Sequence, residues 1–234
     1  MGDVPDMMFP ERIKGIKPDD RVLEVGPGAT PHPKSDVVLE LKFSSEAEAI
    51  AQRADIEKVD PSLKEKKIVL YEGGNFPFAD KAFDYVICAQ VIEHVPDVES
   101  FVSELTRVSR AGYVEVPSIY YEYLYNFDVH LNFVAYVNGE LLYMPKSVTP
   151  LDSFYPIQKF FYRTLYLGAT DLVDSFKEYM SHGFEWTKPF PVRRAGTINE
   201  LIGPLPTEFK RVQHSQPGFA DRMAGGIKRL LGKE

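Results

Sequence analysis

Three glutamates and two histidines stand where this chain could hold a ligand or move a proton. Glu24 lies in the apolar run Val22 to Val25, which opens at once into a turn through Gly26, Pro27 and Gly28. Glu40 stands at the end of a second apolar run, DVVLEL. Glu72 follows a third, KIVLY, and leads into Gly73. Ala89 and Gln90 follow a fourth, FDYVIC, with His94 close behind. Ionised carboxylates accept hydrogen bonds and cannot donate them, so such positions suit donors on a bound molecule. A glycine turn at the end of a first parallel strand is the usual seat of a nucleotide-like ligand. Without Cβ atoms its main chain can turn tightly and lie against that ligand. His94 and His130 are the side chains whose ordinary pKa suits proton transfer near neutrality.

Other reactive groups read as structural. Cys88 sits inside an apolar run and behaves as a small buried residue rather than as a nucleophile. His32, His182 and His214 form no metal-spaced set with carboxylates or Cys88, so no metal is expected.

These groups need elements to carry them. Arg21 to Val25, Asp36 to Leu41, Lys67 to Tyr71, Phe83 to Cys88 and Gly112 to Val116 read as strands. Val98 to Ser109 reads as an amphipathic helix, with Val98, Phe101, Val102, Leu105 and Val108 on one face. A second helix is expected over Ser44 to Val59, capped by Ser44 or Ser45. Strands alternating with helices predict an α/β fold, a mainly parallel sheet with helices on both faces. After Pro117 the pattern changes. Fourteen aromatic residues fall between Ile119 and Tyr166, and Asn138-Gly139 marks a hairpin between FVAYV and ELLYM. Ile157 to Met180 reads as a helix interrupted at Gly168, and Glu185 to Val192 as a late strand.

The bulk numbers bound the function. A net charge of −7 argues against a dedicated nucleic-acid binder, because phosphate backbones demand a basic face. With one cysteine no intrachain disulfide forms, which suits a reducing compartment. The start MGDVPDMMFP lacks the basic and apolar regions of a signal peptide, and Asp6 breaks the myristoylation pattern. No run of about 18 apolar residues exists, so no membrane span is expected. A cytoplasmic protein is the expectation.

The run NFPFADKAFDYVICAQVIEHVPD, taken with VLEVGPG, resembles the LPF…FD…EHV signature of class I S-adenosylmethionine-dependent methyltransferases, in particular the type 11 group. The resemblance covers about residues 20 to 118. It implies a Rossmann-like fold that binds S-adenosylmethionine. Glu24 and the turn Gly26-Pro27-Gly28 match the motif that contacts the methionine portion. Glu40 matches the acidic residue that accepts from the ribose hydroxyls, and Glu72 with Gly73 the positions beside the adenine. Ala89 and Gln90 match the residues flanking the sulfonium.

The sequence departs from the family after Gly28. Pro31 and Pro33 oppose a regular helix, and the seven residues between Gly28 and Asp36 are too few for a helical crossover of about a dozen. The first crossover should therefore be a loop. A dinucleotide site would need that helix for its pyrophosphate. A nucleotide-dependent oxidoreductase is disfavoured accordingly. The other alternative is a non-catalytic binding protein on the same scaffold.

The expected organisation is one domain in three parts: a cofactor-binding core over 1–118, a hairpin and helix region over 119–192 that completes the sheet and covers the acceptor site, and an extension over 193–234. The expected activity is methyl transfer to a small-molecule acceptor, with His130 or His94 as the candidate base.

Overall fold

Each apolar run of the first half becomes a strand in the computed structural model, which describes residues 7–28, 30–45, 63 and 65–203. The strands are β1 (Val22–Val25), β2 (Val37–Leu41), β3 (Lys67–Tyr71), β4 (Phe83–Ala89) and β5 (Ser109–Pro117). They form a six-stranded sheet in the order β3-β2-β1-β4-β5-β8, in which β8 (Ser181–Trp186) runs antiparallel to β5 and the other pairs are parallel. The strand order reverses at β1 and β4, where open α/β sheets usually hold their ligands.

The order of helices follows from capping and periodicity. Helix α1 (Val98–Val108) starts at Asp97, whose carboxylate accepts from the Ser100 N–H at 3.0 Å. Its predicted stripe is buried against Leu23, Val25, Val86, Cys88, Val114 and Val116. Residues alternate across a strand. Val22, Tyr85, Ile87 and Tyr113 therefore face the other way, where Ile16, Met7 and Ile13 of the N-terminal segment cover them. That segment carries a single 3-10 turn, Pro10–Arg12.

Among the described residues between β1 and β2 there is no helix, as Pro31 and Pro33 predict. The loop is pinned from both ends: Asp36 accepts from the Val22 N–H at 2.8 Å, and the Asp36 N–H donates to the Val22 carbonyl at 3.0 Å. The helix expected over Ser44 to Val59 lies outside the described residues from position 46 onward, and so does the chain beyond 203.

After β5 come α2 (Ile119–Tyr125), then the hairpin β6 (Asn132–Val137) and β7 (Glu140–Pro145). Asn138 and Gly139 both have positive φ, 52° and 84°, as a two-residue hairpin turn requires. The hairpin does not join the main sheet. It pairs instead with β9 (Val192–Arg194), parallel to β7, in a separate three-stranded sheet. One face of it adds Val134 and Leu141 to the main core, and the other packs Phe133, Ala135 and Leu142 against Leu201 of α6 (Ile198–Ile202).

The expected strand Glu185 to Val192 is corrected on two counts. Pairing with β5 begins earlier, at Ser181, and ends at Trp186. Val192 belongs to the other sheet. Pro189 and Pro191 lie between them, and prolines cannot donate to a ladder. The expected helix over Ile157 to Met180 begins as α3 (Tyr155–Tyr166), stops at Gly168 with φ 84°, and resumes as the short α4 (Asp171–Ser175) and α5 (Lys177–Met180).

Candidate functional site

The carboxyl edge of the sheet gathers the motif residues. Gly26 and Gly28 have φ of 60° and 64°, the left-handed region that favours glycine. The Gly26 N–H donates to the Leu39 carbonyl at 2.9 Å, which locks the turn onto β2. A Cβ on Gly26 would lie 2.8 Å from Val91 Cγ2, so the turn after β4 packs directly on the turn after β1. Pro27 is buried between the two glycines.

Glu24 and Val38 are register partners, so Glu24 and Glu40, two residues on, share one face of the sheet. Both are buried. Glu24 Oε2 accepts from the His32 N–H at 2.8 Å and from Ser35 Oγ at 2.6 Å, so this glutamate organises the loop that replaces the helix. Glu72, by contrast, is exposed and pairs with Lys42 at 3.0 Å. Gly73 beside it has φ 92° and nothing within 4 Å of where a Cβ would be, which leaves that loop open to a flat ligand.

Ala89 ends β4, and Gln90 follows with φ 55°. The Gln90 side chain is committed elsewhere: Nε2 donates to Glu115 Oε1 and to Ser181 Oγ, both at 3.0 Å. Glu115 is fully buried and also accepts from the N–H groups of Met8 (2.6 Å) and Phe9 (3.0 Å) and from the Tyr113 hydroxyl (2.7 Å). One carboxylate thus ties the N-terminal segment, β5 and the end of β4 together. Gln90 acts by holding the turn in place.

The two histidines singled out in the sequence come together. The rings of His94 and His130 meet edge to face with centroids 4.5 Å apart. The 3-10 turn Ile92–His94 presents the Glu93 carbonyl to the Leu131 N–H at 2.8 Å, and Asn132 Nδ2 donates to the Val95 carbonyl at 2.8 Å. These bonds dock residues 130–132 on the turn whose Val91 touches Gly26. His130 Nδ1 donates to Glu122 Oε1, while Glu122 Oε2 accepts from Lys146 Nζ at 3.1 Å. Glu122 is fully buried, and so is Glu93, whose two carboxylate oxygens have no hydrogen-bond partner.

The electrostatics follow from burial. Desolvation pushes Glu93 up to about 7, against the pull of His130. It pushes His94 down to about 3, helped by the charge of His130, so His94 is a neutral imidazole near pH 7. Desolvation acts in the same sense on His130, but its bond to Glu122 and the nearby Glu93 raise it above the ordinary histidine value overall. Burial also raises the Cys88 thiol, with Glu93 and Glu24 adding to the effect, as fits a structural cysteine.

Sequence reasoning missed Glu93, Glu122, Lys146 and Glu115. Glu93 precedes His94 in the EHV run, and Glu122 is the only carboxylate in the aromatic stretch IYYEYLY, so both left a faint signal. Two shallow surface hollows lie elsewhere, one lined by Val137, Glu140, Arg193 and Glu200, the other along Phe160, Arg163 and Leu167 of α3.

Residues 23–114 match the family described as a methyltransferase domain. The match spans β1 to most of β5 and is consistent with a class I S-adenosylmethionine-dependent methyltransferase. No curated protein matches the chain.

Solved structures similar to it include S-adenosylmethionine-dependent methyltransferases from Thermotoga maritima (22% identity, TM-score 0.32, 47% of this chain and 49% of that one) and Aquifex aeolicus (20%, 0.34, 48% and 66%). Another, from Methanosarcina mazei, is 19% identical over 51% of this chain and 68% of its own, with a TM-score of 0.32. The chain thus spans about half to two thirds of the length of these relatives.

Proposed function

We propose that this chain transfers a methyl group from S-adenosylmethionine to a small-molecule acceptor. The observation that carries the reading is the placement of Glu24, Gly26, Gly28 and Glu40 on one carboxyl edge, within the stretch that matches the methyltransferase domain. Glu40 fits the ribose, because its buried carboxylate can accept from both hydroxyls of a diol. Gly26, Pro27 and Gly28 fit the methionine portion, and the open Gly73 loop with Glu72 fits the adenine. Ala89 and the Gln90 backbone fit the sulfonium side, with the Gln90 side chain holding the turn. The loop in place of a first helix offers no pyrophosphate seat, which fits a cofactor without phosphates better than a dinucleotide.

When bound, S-adenosylmethionine supplies a methyl already activated on a sulfonium. The task of the protein is alignment of the acceptor against it. The segment from Phe127 to Asn132, docked on the turn after β4, forms the acceptor side. There His130, backed by Glu122, is placed to hold or take a proton, and neutral His94 can accept a hydrogen bond. The net charge of −7 favours a small acceptor over nucleic acid.

The test uses methyl-labelled S-adenosylmethionine with a cell extract divided by size. Label recovered in the small-molecule fraction supports the reading. Label in protein or nucleic acid, or none at all, overturns it.

A further inference from the structure

We infer that Glu93, His94 and His130 form a binding site for one divalent first-row transition ion. One ring nitrogen of each histidine and one Glu93 carboxylate oxygen all lie within 4.8 Å of one another. Ligand atoms around a tetrahedral ion with bonds of about 2.1 Å stand roughly 3.4 Å apart, so a small contraction of side chains would close the shell.

Three further features point to a cation. Glu93 is fully buried and neither of its oxygens receives a hydrogen bond, although carboxylates in such places are normally paired or bound to metal. His94 Nδ1 is also buried without a partner. His130 donates Nδ1–H to the buried Glu122, which leaves Nε2 as the atom that binds an ion once its proton is lost. A carboxylate behind a histidine is the usual outer partner of a metal-bound imidazole. Two imidazoles with one carboxylate suit zinc or ferrous iron and not magnesium or calcium, whose shells are oxygen.

The side chains of His94 and His130 keep 19% and 10% exposure, so the site has an approach from solvent. Lys146 is held by Glu122 Oε2 and the Phe127 carbonyl, and its charge partly offsets the two carboxylates. With neutral imidazoles the cluster still carries one net negative charge, which either a proton or a metal ion can answer. The inference rests on the proposed methyl transfer and revises its acceptor side: the ion takes the lone pairs of His94 and His130 in place of a proton, beside the turn that packs on Gly26.

The full chain, stripped with chelator, is titrated by calorimetry with Zn2+ and by absorption with Co2+, with Mg2+ as control. One Zn2+ per chain is expected, together with Co2+ bands of a low-coordinate nitrogen and oxygen site. Glu93→Gln and His130→Ala should abolish binding. Glu122→Gln, which keeps all three ligands, should weaken it roughly 10- to 100-fold. Circular dichroism checks that each variant folds, and Glu122→Gln serves where a ligand variant does not. Absence of stoichiometric binding, or binding unchanged in these variants, overturns the inference and leaves a proton as the occupant. S-adenosylhomocysteine affinity, measured separately, shows whether the methyltransferase reading stands without the metal.

Discussion

Replacing Glu115 by glutamine should loosen the N-terminal segment and the end of β4 together. In the native protein Oε1 accepts from Met8 N–H and Gln90 Nε2, and Oε2 from Phe9 N–H and the Tyr113 hydroxyl. Glutamine keeps one acceptor oxygen and turns the other into a donor. The least costly arrangement puts the new NH2 at the Oε2 place, where the Tyr113 hydroxyl can rotate to accept from it. The Phe9 N–H then has no acceptor. An orphaned buried donor costs about 1–3 kcal/mol, and the two retained bonds weaken as the charge is lost, for a total of about 2–4 kcal/mol. Glu115→Ala leaves the Met8 and Phe9 N–H groups without an acceptor and removes one acceptor each from Gln90 and Tyr113, and should cost about 3–5 kcal/mol, a large part of the stability of many domains. Urea unfolding measures the loss, and amide exchange at Met8 and Phe9 should rise well above that of the rest of β5. If Glu115→Gln lies within about 0.5 kcal/mol of the native protein with unchanged exchange at both amides, the hub described here is wrong.

Three further outcomes are expected. Glu40→Ala should weaken S-adenosylhomocysteine binding roughly ten- to a hundredfold, from the 1.5–3 kcal/mol typical of a hydrogen bond to a charged acceptor; an unchanged dissociation constant in a folded variant removes Glu40 from the site. Gly26→Ala should cost about 1–2 kcal/mol from its φ of 60° alone, with a further loss from the clash with Val91 that Val91→Ala relieves; thermal unfolding of the single and double variants separates the two. In metal-free buffer, stability should fall as pH drops below 6.5, because burial lowers His94 to about 3 and His182 to about 4, and each takes up a proton on unfolding. Glu93, raised to about 7, opposes this by losing stability as pH rises from 4.5 towards 7, and the raised His130 leaves the acid limb untouched. Glu93→Gln should therefore make the fall from pH 7 to 4.5 steeper, by up to about 1.4 kcal/mol per pH unit; an unchanged slope contradicts the burial of an ionisable Glu93.

Where one stretch of chain carries its own signal, the sequence was a sufficient guide. The five parallel strands are apolar runs bounded by turn residues, the stripe from Val98 to Val108 has helical spacing, and Asn138-Gly139 can adopt the positive φ a tight hairpin needs. Pro31 and Pro33 made the lost crossover helix legible. What depends on partners far along the chain was not. Nothing near Val192 tells that it pairs with β7 while Trp186 pairs with β5. Glu115 reads as an ordinary strand carboxylate until Met8 and Phe9, more than a hundred residues away, fold against it. The same holds for the cluster at His94: His130 was named for its type, but its link to Glu122, and the unpartnered Glu93 beneath it, arise only when residues 130–132 dock on the turn after β4.

Amide hydrogen exchange with and without S-adenosylhomocysteine tests the central claim most directly. Slowed exchange is expected in residues 24–28, 40–43, 72–74 and 89–91, with α3 unaffected and NAD without effect. Protection confined to other segments, none at saturating S-adenosylhomocysteine, or an equal response to NAD would contradict it.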